Sequence, residues 1–468
     1  MKRRKKRLTK RLPFFKFLAP FSLTALYGEA ALAASIRRSL NLIILGNLCG
    51  NMFSVICGGG TTAMVGLANA IHAGDFTFGV INGIPQMATL LQIPFSILVS
   101  RTHHRKKYML TFGLLSRFLW ILFGLIPLVV PTDPAWLPSF TLIFLLGISS
   151  ACGAAINVCW FPWFSDLAPK EIRGRWFSAR DTLVALCNLL FGLLTARLLD
   201  TLPEERRYVI IFLIGGIIGM ADMVCFGFCE EVYATQAERS RLRDVVKEVV
   251  KNRPFMRFTA MWTAWCFTAS LCEPYLSRYS MNEMGLSFTQ MTVFGTVAAS
   301  VATMLSMRRW GRLLDREGCR SVMFKAALAA SVCNAFYLFS TPGAVWPVLL
   351  RNFLGAAFWS GSNLAANSLQ LTCSPDRARP SYIALFSCVT CLMGTALGSM
   401  TGGALLEGME ALHWFSGAFD RYKALITLSP LLRFAAVLLL VPGLSEEGSS
   451  DGLHIVLPFS AAWRRGKR

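Results

Sequence analysis

Twelve apolar runs follow one another along the chain, with short polar segments between them. They lie at 39–66, 75–100, 108–131, 138–160, 181–200, 207–229, 255–280, 287–308, 321–341, 345–370, 381–406 and 421–442, and we number them spans 1 to 12. A helix that crosses a bilayer needs about 20 mainly apolar residues. The pattern therefore predicts an all-α polytopic membrane protein of twelve transmembrane helices.

The most polar segment between the termini reads AERSRLRDVVKEVVKNR and separates six apolar runs from six. The predicted organisation is a basic cytoplasmic N-terminal arm at 1–38, a six-helix bundle at 39–229, a cytoplasmic linker at 230–254, a second six-helix bundle at 255–442 and a cytoplasmic tail at 443–468. A regulatory binding element within the linker stays open as an alternative.

Composition supports the membrane assignment, since 54% of the 468 residues are hydrophobic and 16% are charged. The net charge of +21 would suggest nucleic acid in a soluble protein, but its distribution indicates topology instead. Lys and Arg concentrate in the termini and in every second loop, whereas the opposite loops hold Arg206, Arg207, Arg421 and Lys423. Basic loops resist translocation, so both termini are predicted to be cytoplasmic and no nucleic-acid partner is expected.

The first forty residues imitate a secretory signal peptide, with a basic start and an apolar stretch. Lys16, Pro20 and Glu29 interrupt that stretch, and cleavage would reverse every later loop against the distribution of basic residues. We therefore expect a basic amphipathic arm that contacts anionic membrane lipid on the inner leaflet.

Fourteen cysteines are scattered through the apolar runs without the spacing of a metal site or disulfide framework. Cys388 and Cys391 have CxxC spacing, but they fall inside a predicted helix with no second pair. We expect packing roles for them, and neither a metal nor a cofactor. No GxxxxGK[ST] segment occurs, so the chain is not by itself an ATP-driven pump.

One short loop is repeated in the two halves. Gly311 to Arg320 reads GRLLDREGCR, and Ser96 to Arg105 reads SILVSRTHHR at the equivalent point of the first half. A second loop after span 4, DLAPKEIRGRW, matches SPDRARPSY after span 10. Two matched loops in the same order indicate a parallel duplication of six helices.

In these loops the chain resembles the major facilitator superfamily, whose loop motif is roughly GxLxDRxGxR. The second-half loop matches it at Gly311, Leu313, Asp315, Arg316, Gly318 and Arg320; the first-half loop keeps only Leu98, Arg101 and Arg105. The resemblance implies two six-helix bundles that alternate access to a central site. It is weaker on the first-half side, where Ser96, Ser100 and His103 replace the expected residues.

Gating on the cytoplasmic side is the role that the resemblance implies for these loops. Gly311 would allow a close approach of span 8 to the start of span 5, and Asp315 would cap that start. Arg316 and Arg320 would pair with Asp166, Glu171 or Asp181. The predicted gating residues are Gly311, Asp315, Arg316, Arg320, Asp166, Arg173 and Arg101. The alternative is that these charges only set topology and solvate the loops.

Polar stripes inside the spans are the candidates for solute binding. In span 10, Gly355, Trp359, Asn363, Asn367 and Gln370 recur at helical spacing, which suits hydrogen bonding and stacking on a small polar solute. Asn47 and Asn51 in span 1, and Asn82 and Gln86 in span 2, repeat the four-residue step. The alternative is that these amides bond other helices.

Charged residues inside a membrane are functional candidates by default. Glu273 of span 7 is predicted to serve proton coupling or substrate contact, and the alternative is an exit-gate pair with Arg278 or Arg351. Arg117, Asp222 and Arg433 fall on spans that the resemblance places at the periphery, so structural pairing or snorkelling is expected there. The predicted substrate-binding set is Asn47, Asn51, Gln86, Glu273, Trp359, Asn363 and Asn367.

The sequence as a whole predicts a secondary active or facilitative transporter of a small solute, not an enzyme. It would work as a monomer in the cytoplasmic (inner) membrane of a bacterium, with co-transport of a proton or sodium ion left open. A transport-deficient membrane sensor and a drug efflux antiporter are the alternatives. Sugars, amino acids, nucleosides and small amphiphiles fit the candidate residues alike, and the direction of transport is not determined by the sequence.

Overall fold

The computed structural model describes residues 34–102, 104–167, 170–229, 242–375, 379–412 and 420–444. These residues form α-helices at Ala34–Cys57, Thr62–Ala70, Asp75–Met87, Gln92–Thr102, Arg105–Val129, Leu137–Leu167, Lys170–Thr201, Glu204–Gly227, Leu242–Lys251, Arg253–Ser270, Glu273–Asn282, Phe288–Thr292, Ala298–Cys333, Trp346–Thr372, Arg379–Val389, Leu397–Ala411 and Arg421–Leu440. Within the same residues there is no β-strand, and a single antiparallel bridge joins Thr341 to Ala344. The all-α polytopic prediction is confirmed.

Eight helices in the described part of the chain are long and apolar enough to cross a membrane. Twelve crossings are therefore not confirmed and stay a prediction. Several predicted spans are interrupted: span 2 contains Pro85 and a 3₁₀ turn at Ala88–Leu91, and span 7 breaks between Ser270 and Glu273. Proline removes a backbone hydrogen bond, which explains a break close to Pro85. The helix Trp346–Thr372 is long enough to cross a membrane but is not among the eight, because its arginine and amides lower its mean hydropathy.

The predicted turn after span 8 is formed by a glycine. Residues Ala298–Cys333 would read as one helix, but Gly318 interrupts it with φ 81° and ψ 170°. A side chain disfavours this region strongly, which accounts for glycine at that position of the motif. Gly311, by contrast, is helical, and a Cβ built on it would meet no atom of the described residues within 4 Å. The close approach of Gly311 to the start of span 5 stays a prediction.

The helices group into two compact units. Unit 1 comprises 1–239, 274–296 and 399–411, and unit 2 comprises 240–273, 297–398 and 412–468. Unit 1 thus includes short segments of spans 7, 8 and 11 together with the six spans of the first half. The domain boundaries predicted from the sequence stay a prediction.

Aromatic packing forms much of the core of unit 1. Trp120 meets Phe53 edge-on with ring centroids 5.6 Å apart and stacks on Phe212 at 6.1 Å. Close helix contacts surround this cluster, since a Cβ at Gly124 would lie 2.8 Å from the carbonyl oxygen of Tyr208. Helices in lipid associate mainly by such van der Waals packing, because the lipid itself is apolar.

Unit 2 uses the same principle with different residues. Phe258 stacks on Phe386 with centroids 5.1 Å apart, and Phe255 meets Tyr382 edge-on at 4.8 Å. Trp310, one residue before Gly311, packs on Trp346–Thr372 and donates its indole N–H to the carbonyl of Ala357 at 2.7 Å. The segment that leads into the Gly318 turn is thereby fixed to span 10.

Two glycines of the loop motif test this account of the turn. Gly318→Ala should lower the free energy of unfolding by about 1 to 3 kcal/mol, because alanine is strained at φ 81°. Gly311→Ala is the matched control and should be neutral or stabilise by about 0.5 to 1 kcal/mol, since the site is helical and open. Thermal unfolding of the purified protein in detergent measures both, and equal midpoints for the two variants would contradict the account.

Candidate functional site

The predicted amides of spans 1 and 2 are bonded within their own helices. Asn47 is buried and donates to the carbonyl of Ile43 at 2.9 Å, and Asn51 donates to the carbonyl of Asn47 at 2.8 Å. Asn82 bonds back to Phe78 in the same way at 2.9 Å. Gln86 is half-buried. These amides therefore do not bond other helices through the contacts seen here, and their binding role stays a prediction.

The polar stripe of span 10 lies on the open side of its helix. Trp359 and Asn363 are half-buried and Asn367 is exposed, whereas the intervening positions 360–362, 365, 366 and 369 are buried. Trp359 stacks on Trp265 with ring centroids 5.6 Å apart. The stripe thus presents two amides away from the packed core of unit 2, while Trp359 packs against the edge of that core through Trp265.

Of the predicted gating residues of the second half, two are exposed and two, Gly311 and Arg320, are half-buried. Asp315 and Arg316 lie on the surface, and among the described residues Asp315 has no hydrogen-bond partner. The helix cap expected from Asp315 stays a prediction. Within unit 2, Arg320 donates to the carbonyl of Pro442, and within unit 1 the carboxylate of Asp181 accepts from Arg180 at 2.7 Å.

Three further gating candidates, Asp166, Arg173 and Arg101, have side chains that lie outside the described residues. The same is true of Glu171, and of Pro169, on which the second loop match depends. Their predicted roles therefore stay predictions.

Glu273, the first residue of Glu273–Asn282, binds two arginines from two other helices. Its Oε1 accepts from Nη2 of Arg433 at 2.8 Å, and its Oε2 accepts from Nη2 of Arg351. The expected partner Arg351 is correct, whereas Arg278 pairs elsewhere. Of the two roles expected for Arg433, structural pairing and snorkelling, the structure shows pairing, because its side chain is only 2% exposed and is bonded to Glu273.

The two arginines make further bonds that fix their orientation. Arg351 donates from Nε to Oδ1 of Asn334 at 2.9 Å and from Nη1 to Oδ1 of Asn352 at 2.8 Å. Arg433 donates from Nη2 to the carbonyl of Ala269 at 3.1 Å. The guanidinium of Arg433 also lies 5.6 Å from the ring centroid of Trp265. We call Glu273, Arg351 and Arg433 the two-arginine cluster.

Arg117 and Asp222 form a separate pair in unit 1. Nη2 of Arg117 lies 3.4 Å from Oδ2 of Asp222, and the guanidinium also lies 3.9 Å from the ring centroid of Phe53. The structural pairing expected for these two residues is confirmed. One cation faces one anion here, so the pair is balanced in charge.

A network that the sequence reasoning missed joins Asp75 to Arg278 in unit 1. Oδ1 of Asp75 accepts from Nη1 of Arg278 at 2.9 Å, with side chains only 4% and 10% exposed. Arg278 also donates to the carbonyl of Ala73, which lies two residues before the helix that begins at Asp75. Two charges buried this deeply require each other, since an unpaired charge in such surroundings is very costly.

Hydroxyl groups extend this network to span 11. Tyr275 donates to the carbonyl of Ser399 at 2.5 Å, and the Ser399 hydroxyl donates to the carbonyl of Gly79 at 3.2 Å. A Cβ at Gly79 would lie 2.6 Å from the Ser399 carbonyl oxygen, so only glycine permits this approach. Spans 2, 7 and 11 therefore meet within unit 1.

Three contacts surround the buried pair. Asn69 donates to Oδ1 of Asn282 at 2.7 Å, and Glu407 accepts from the backbone N–H of Phe76 at 2.9 Å. Asp200 accepts the N–H groups of Phe288 and Thr289, both at 2.9 Å, at the start of a short helix. We call these contacts, with Asp75, Arg278, Tyr275 and Ser399, the unit 1 closure network. Its sequence signal was an acid at the start of span 2 and an arginine late in span 7, which no local spacing connects.

A small cleft lies elsewhere in unit 1, between the helices of spans 2 and 4. Its volume is about 160 Å³, and its polar lining includes Gln92 and Asn157. Sites for drug-sized ligands occupy about 300 to 1,000 Å³. This cleft is thus too small to hold a solute of that size.

Long apolar helices that enclose buried ion pairs are typical of a multi-pass membrane protein. The profile of the Major Facilitator Superfamily matches residues 46–444, so the chain belongs to that family. A sequence search of curated proteins found no match.

Solved structures of transporters share the fold. A nucleoside transporter, NupG, is 12% identical with a TM-score of 0.68 over 87% of this chain and all of its own. The POT family transporter PepTSo is 9% identical with a TM-score of 0.68 over 86% of this chain and 97% of its own. A D-xylose-proton symporter is 15% identical with a TM-score of 0.61 over 89% of this chain and all of its own.

The buried pair of unit 1 makes a quantitative prediction. Arg278→Met should lower the free energy of unfolding by about 3 to 5 kcal/mol, because it leaves the Asp75 carboxylate buried without its cation. Adding Asp75→Leu should recover much of that loss, since no unpaired charge then remains. Thermal or denaturant unfolding of the two single variants and the double variant gives the coupling energy. Additive losses would show that the two side chains do not depend on each other.

Proposed function

We propose that this protein is a secondary transporter that moves a small solute across a membrane by alternating access. The observation that carries the proposal is the unit 1 closure network. Its buried ion pair and hydroxyl contacts come from spans 2, 7 and 11, so residues from both halves of the sequence meet in one compact unit. Contacts of this kind can close one face of a transporter.

Alternating access requires such contacts to exist in one state and to break in the other. A conformational equilibrium shifts only by the difference in interaction free energy between its states. The Asp75 and Arg278 pair supplies a large difference, because its members are buried when joined and would reach water when separated. The hydrogen bonds of Tyr275 and Ser399 would be lost with it.

The charge distribution supports an orientation for this network. Basic residues concentrate on the side of the termini and of the Gly318 turn, which we assign to the cytoplasm. Asp75 lies just after span 1, and Arg278 lies near the end of span 7. Each of these spans starts on the cytoplasmic side and crosses the membrane once, so we assign the network to the outer face. We infer that both termini are cytoplasmic and that the membrane is the cytoplasmic membrane of a bacterium.

The open stripe of span 10 supports a polar solute. Amides that face lipid would be unfavourable, so we assign Trp359, Asn363 and Asn367 to the wall of a water-filled cavity. Asn47, Asn51, Gln86 and Glu273 complete the proposed lining. Structural relatives are named as a nucleoside transporter and as a D-xylose-proton symporter, which supports a small solute and co-transport of a proton.

The opposite face would be closed by the loop after span 8. Asp315 and Arg316 are exposed here and therefore free to find partners in another state. The proposed partners lie at the start of span 5 and in the first-half loop, and they include Asp166, Arg173 and Arg101. Arg320 would have to leave the carbonyl of Pro442.

A reversible metal bridge tests the closure network directly. Asn69 and Asn282 are in hydrogen-bond contact, so histidines at both positions would hold Zn²⁺ between them when the network is closed. With Asn69→His and Asn282→His combined, micromolar Zn²⁺ should stop counterflow in proteoliposomes of any solute found by thermal-shift screening. A chelator should restore it.

The controls for this experiment are the two single-histidine variants, which should keep full counterflow in the same Zn²⁺. Equal inhibition of single and double variants would mean that Zn²⁺ acts elsewhere. Counterflow that continues in the bridged double variant would contradict the idea that these contacts must open during transport.

The loop on the other face has its own test. Asp315→Asn should leave the protein folded and inserted, because the side chain is exposed and unbonded in this conformation. It should nevertheless slow counterflow, since the carboxylate would be needed in the state that closes the loop. Asp133→Asn, the same substitution at an exposed position outside both networks, is the matched control. Unchanged counterflow in Asp315→Asn would remove Asp315 from the gate.

A further inference from the structure

Charge is not balanced in the two-arginine cluster. Arg351 and Arg433 together share one carboxylate, that of Glu273, and no other described carboxylate contacts either guanidinium. One positive charge is therefore in excess within the membrane-spanning part of unit 2. The Arg117 and Asp222 pair shows that the same protein can balance an arginine with an acid one to one.

Several buried hydrogen-bond donors in or beside the same cluster have no acceptor among the described residues. Nε of Arg433, the indole N–H of Trp265 and the amide nitrogen of Asn334 are all buried and unbonded among the described residues. Each of these residues is only about 1% exposed. Buried polar groups in proteins are almost always hydrogen-bonded, so three unmatched donors beside an excess positive charge indicate a missing acceptor that is an anion.

Access to the cluster is through Glu273. Its side chain is 34% exposed and that of Arg351 is 15% exposed, whereas Arg433 is 2% exposed. An incoming carboxylate can thus reach the guanidinium of Arg351 at the open side. It would compete there with Glu273 for the forked N–H groups, which match a planar carboxylate in two parallel bonds.

The surroundings indicate what else the ligand carries. Trp265 lies under the guanidinium of Arg433 at 5.6 Å and stacks on Trp359 at 5.6 Å. Arg351 lies eight residues before Trp359 in the same helix, which is about 12 Å along the axis. Gly355 between them leaves room, since its Cβ would meet only Cys333 at 3.9 Å. Trp265 is only 1% exposed whereas Trp359 is half-buried, so a flat or apolar body would contact Trp359, with Trp265 behind it.

We propose that the two-arginine cluster and the Trp265 and Trp359 pair bind an organic monocarboxylate, with the carboxylate at Arg351 and Arg433 and the apolar body against Trp359. One negative charge makes the cluster electroneutral without a change in the protonation of Glu273. This site names the solute class for the proposed transport function and rests on it. Glu273 acts as an internal anion that the ligand partly displaces.

Matched acid and amide probes test the proposal. The purified full-length protein in a non-ionic detergent is titrated with benzoate, phenylacetate and cyclohexanecarboxylate, and with the corresponding neutral amides. The acids should raise the midpoint of thermal unfolding in a saturable way, because a ligand that binds only the folded state stabilises it. The amides should not. Equal shifts of the unfolding midpoint by acids and amides would overturn the proposal. A shift of the midpoint by sulfate or phosphate, with none by the carboxylates, would overturn it as well.

Substitutions in the cluster should change the affinity for benzoate in directions that a purely structural role would not produce. Glu273→Gln removes the internal competitor and adds to the excess charge, so the apparent affinity for benzoate should rise by about tenfold or more. Arg351→Lys keeps the charge but loses the fork, so the affinity should fall by about tenfold. Trp359→Ala should lower the affinity for benzoate and leave the lower affinity for acetate unchanged. A fall in affinity with Glu273→Gln would overturn the competition between Glu273 and the ligand.

Asp222→Asn is the matched control, because it also removes a buried carboxylate from an arginine. It should lower the unfolding midpoint without changing the affinity for benzoate; a parallel change would show a general effect of lost ion pairs. Binding in detergent does not require transport. Carboxylate binding without counterflow would overturn the transport function alone, and counterflow of a neutral solute without any response to acids would overturn the carboxylate site alone.

Discussion

An arginine inside a membrane must have an anion beside it, and the arrangement of this protein depends on how each arginine meets that requirement. Asp222 is the counter-ion of Arg117, and Asp75 is the counter-ion of Arg278. Glu273 is the counter-ion of both Arg351 and Arg433. Removing charges from water costs several kcal/mol for each ion, and attraction offsets this only when the geometry is good. The helices that carry these residues are therefore held in fixed relation within their units.

The fold class could be predicted from the sequence because it depends on a local property. Apolar runs of bilayer length indicate helices, and the motif from Gly311 to Arg320 indicates the glycine turn that the structure has at Gly318. The number of crossings was less predictable, since Pro85 and the amides of Trp346–Thr372 alter helix continuity and hydropathy. The spacing of apolar residues along the chain does not predict where a helix breaks or how polar residues change the hydropathy of a crossing.

The candidate site was predicted in part, for a related reason. Glu273 was recognised because an acid in an apolar run is conspicuous, and Arg351 was a natural partner. Arg433 and Asp75 were assigned to no site, because their partners lie 160 and 203 residues away along the chain. Pairing over such separations depends on the packed bundle. The gating role of Asp315 stays a prediction, since a conformation in which it is exposed cannot reveal a contact made in another.

The short helix Glu273–Asn282 gives the two charge networks a common element. It has ten residues, with Glu273 at its start bound to two arginines of unit 2 and Arg278 bound to Asp75 of unit 1. Five residues of helix separate them, which is about 7.5 Å along the axis. Tyr275 between them donates to Ser399. Each charge of this helix is paired with charges of its own unit, Glu273 with Arg351 and Arg433, and Arg278 with Asp75. Loss of either set would therefore remove a buried counter-ion and not a surface contact, which is why both ends of so short a helix depend on residues far away along the chain.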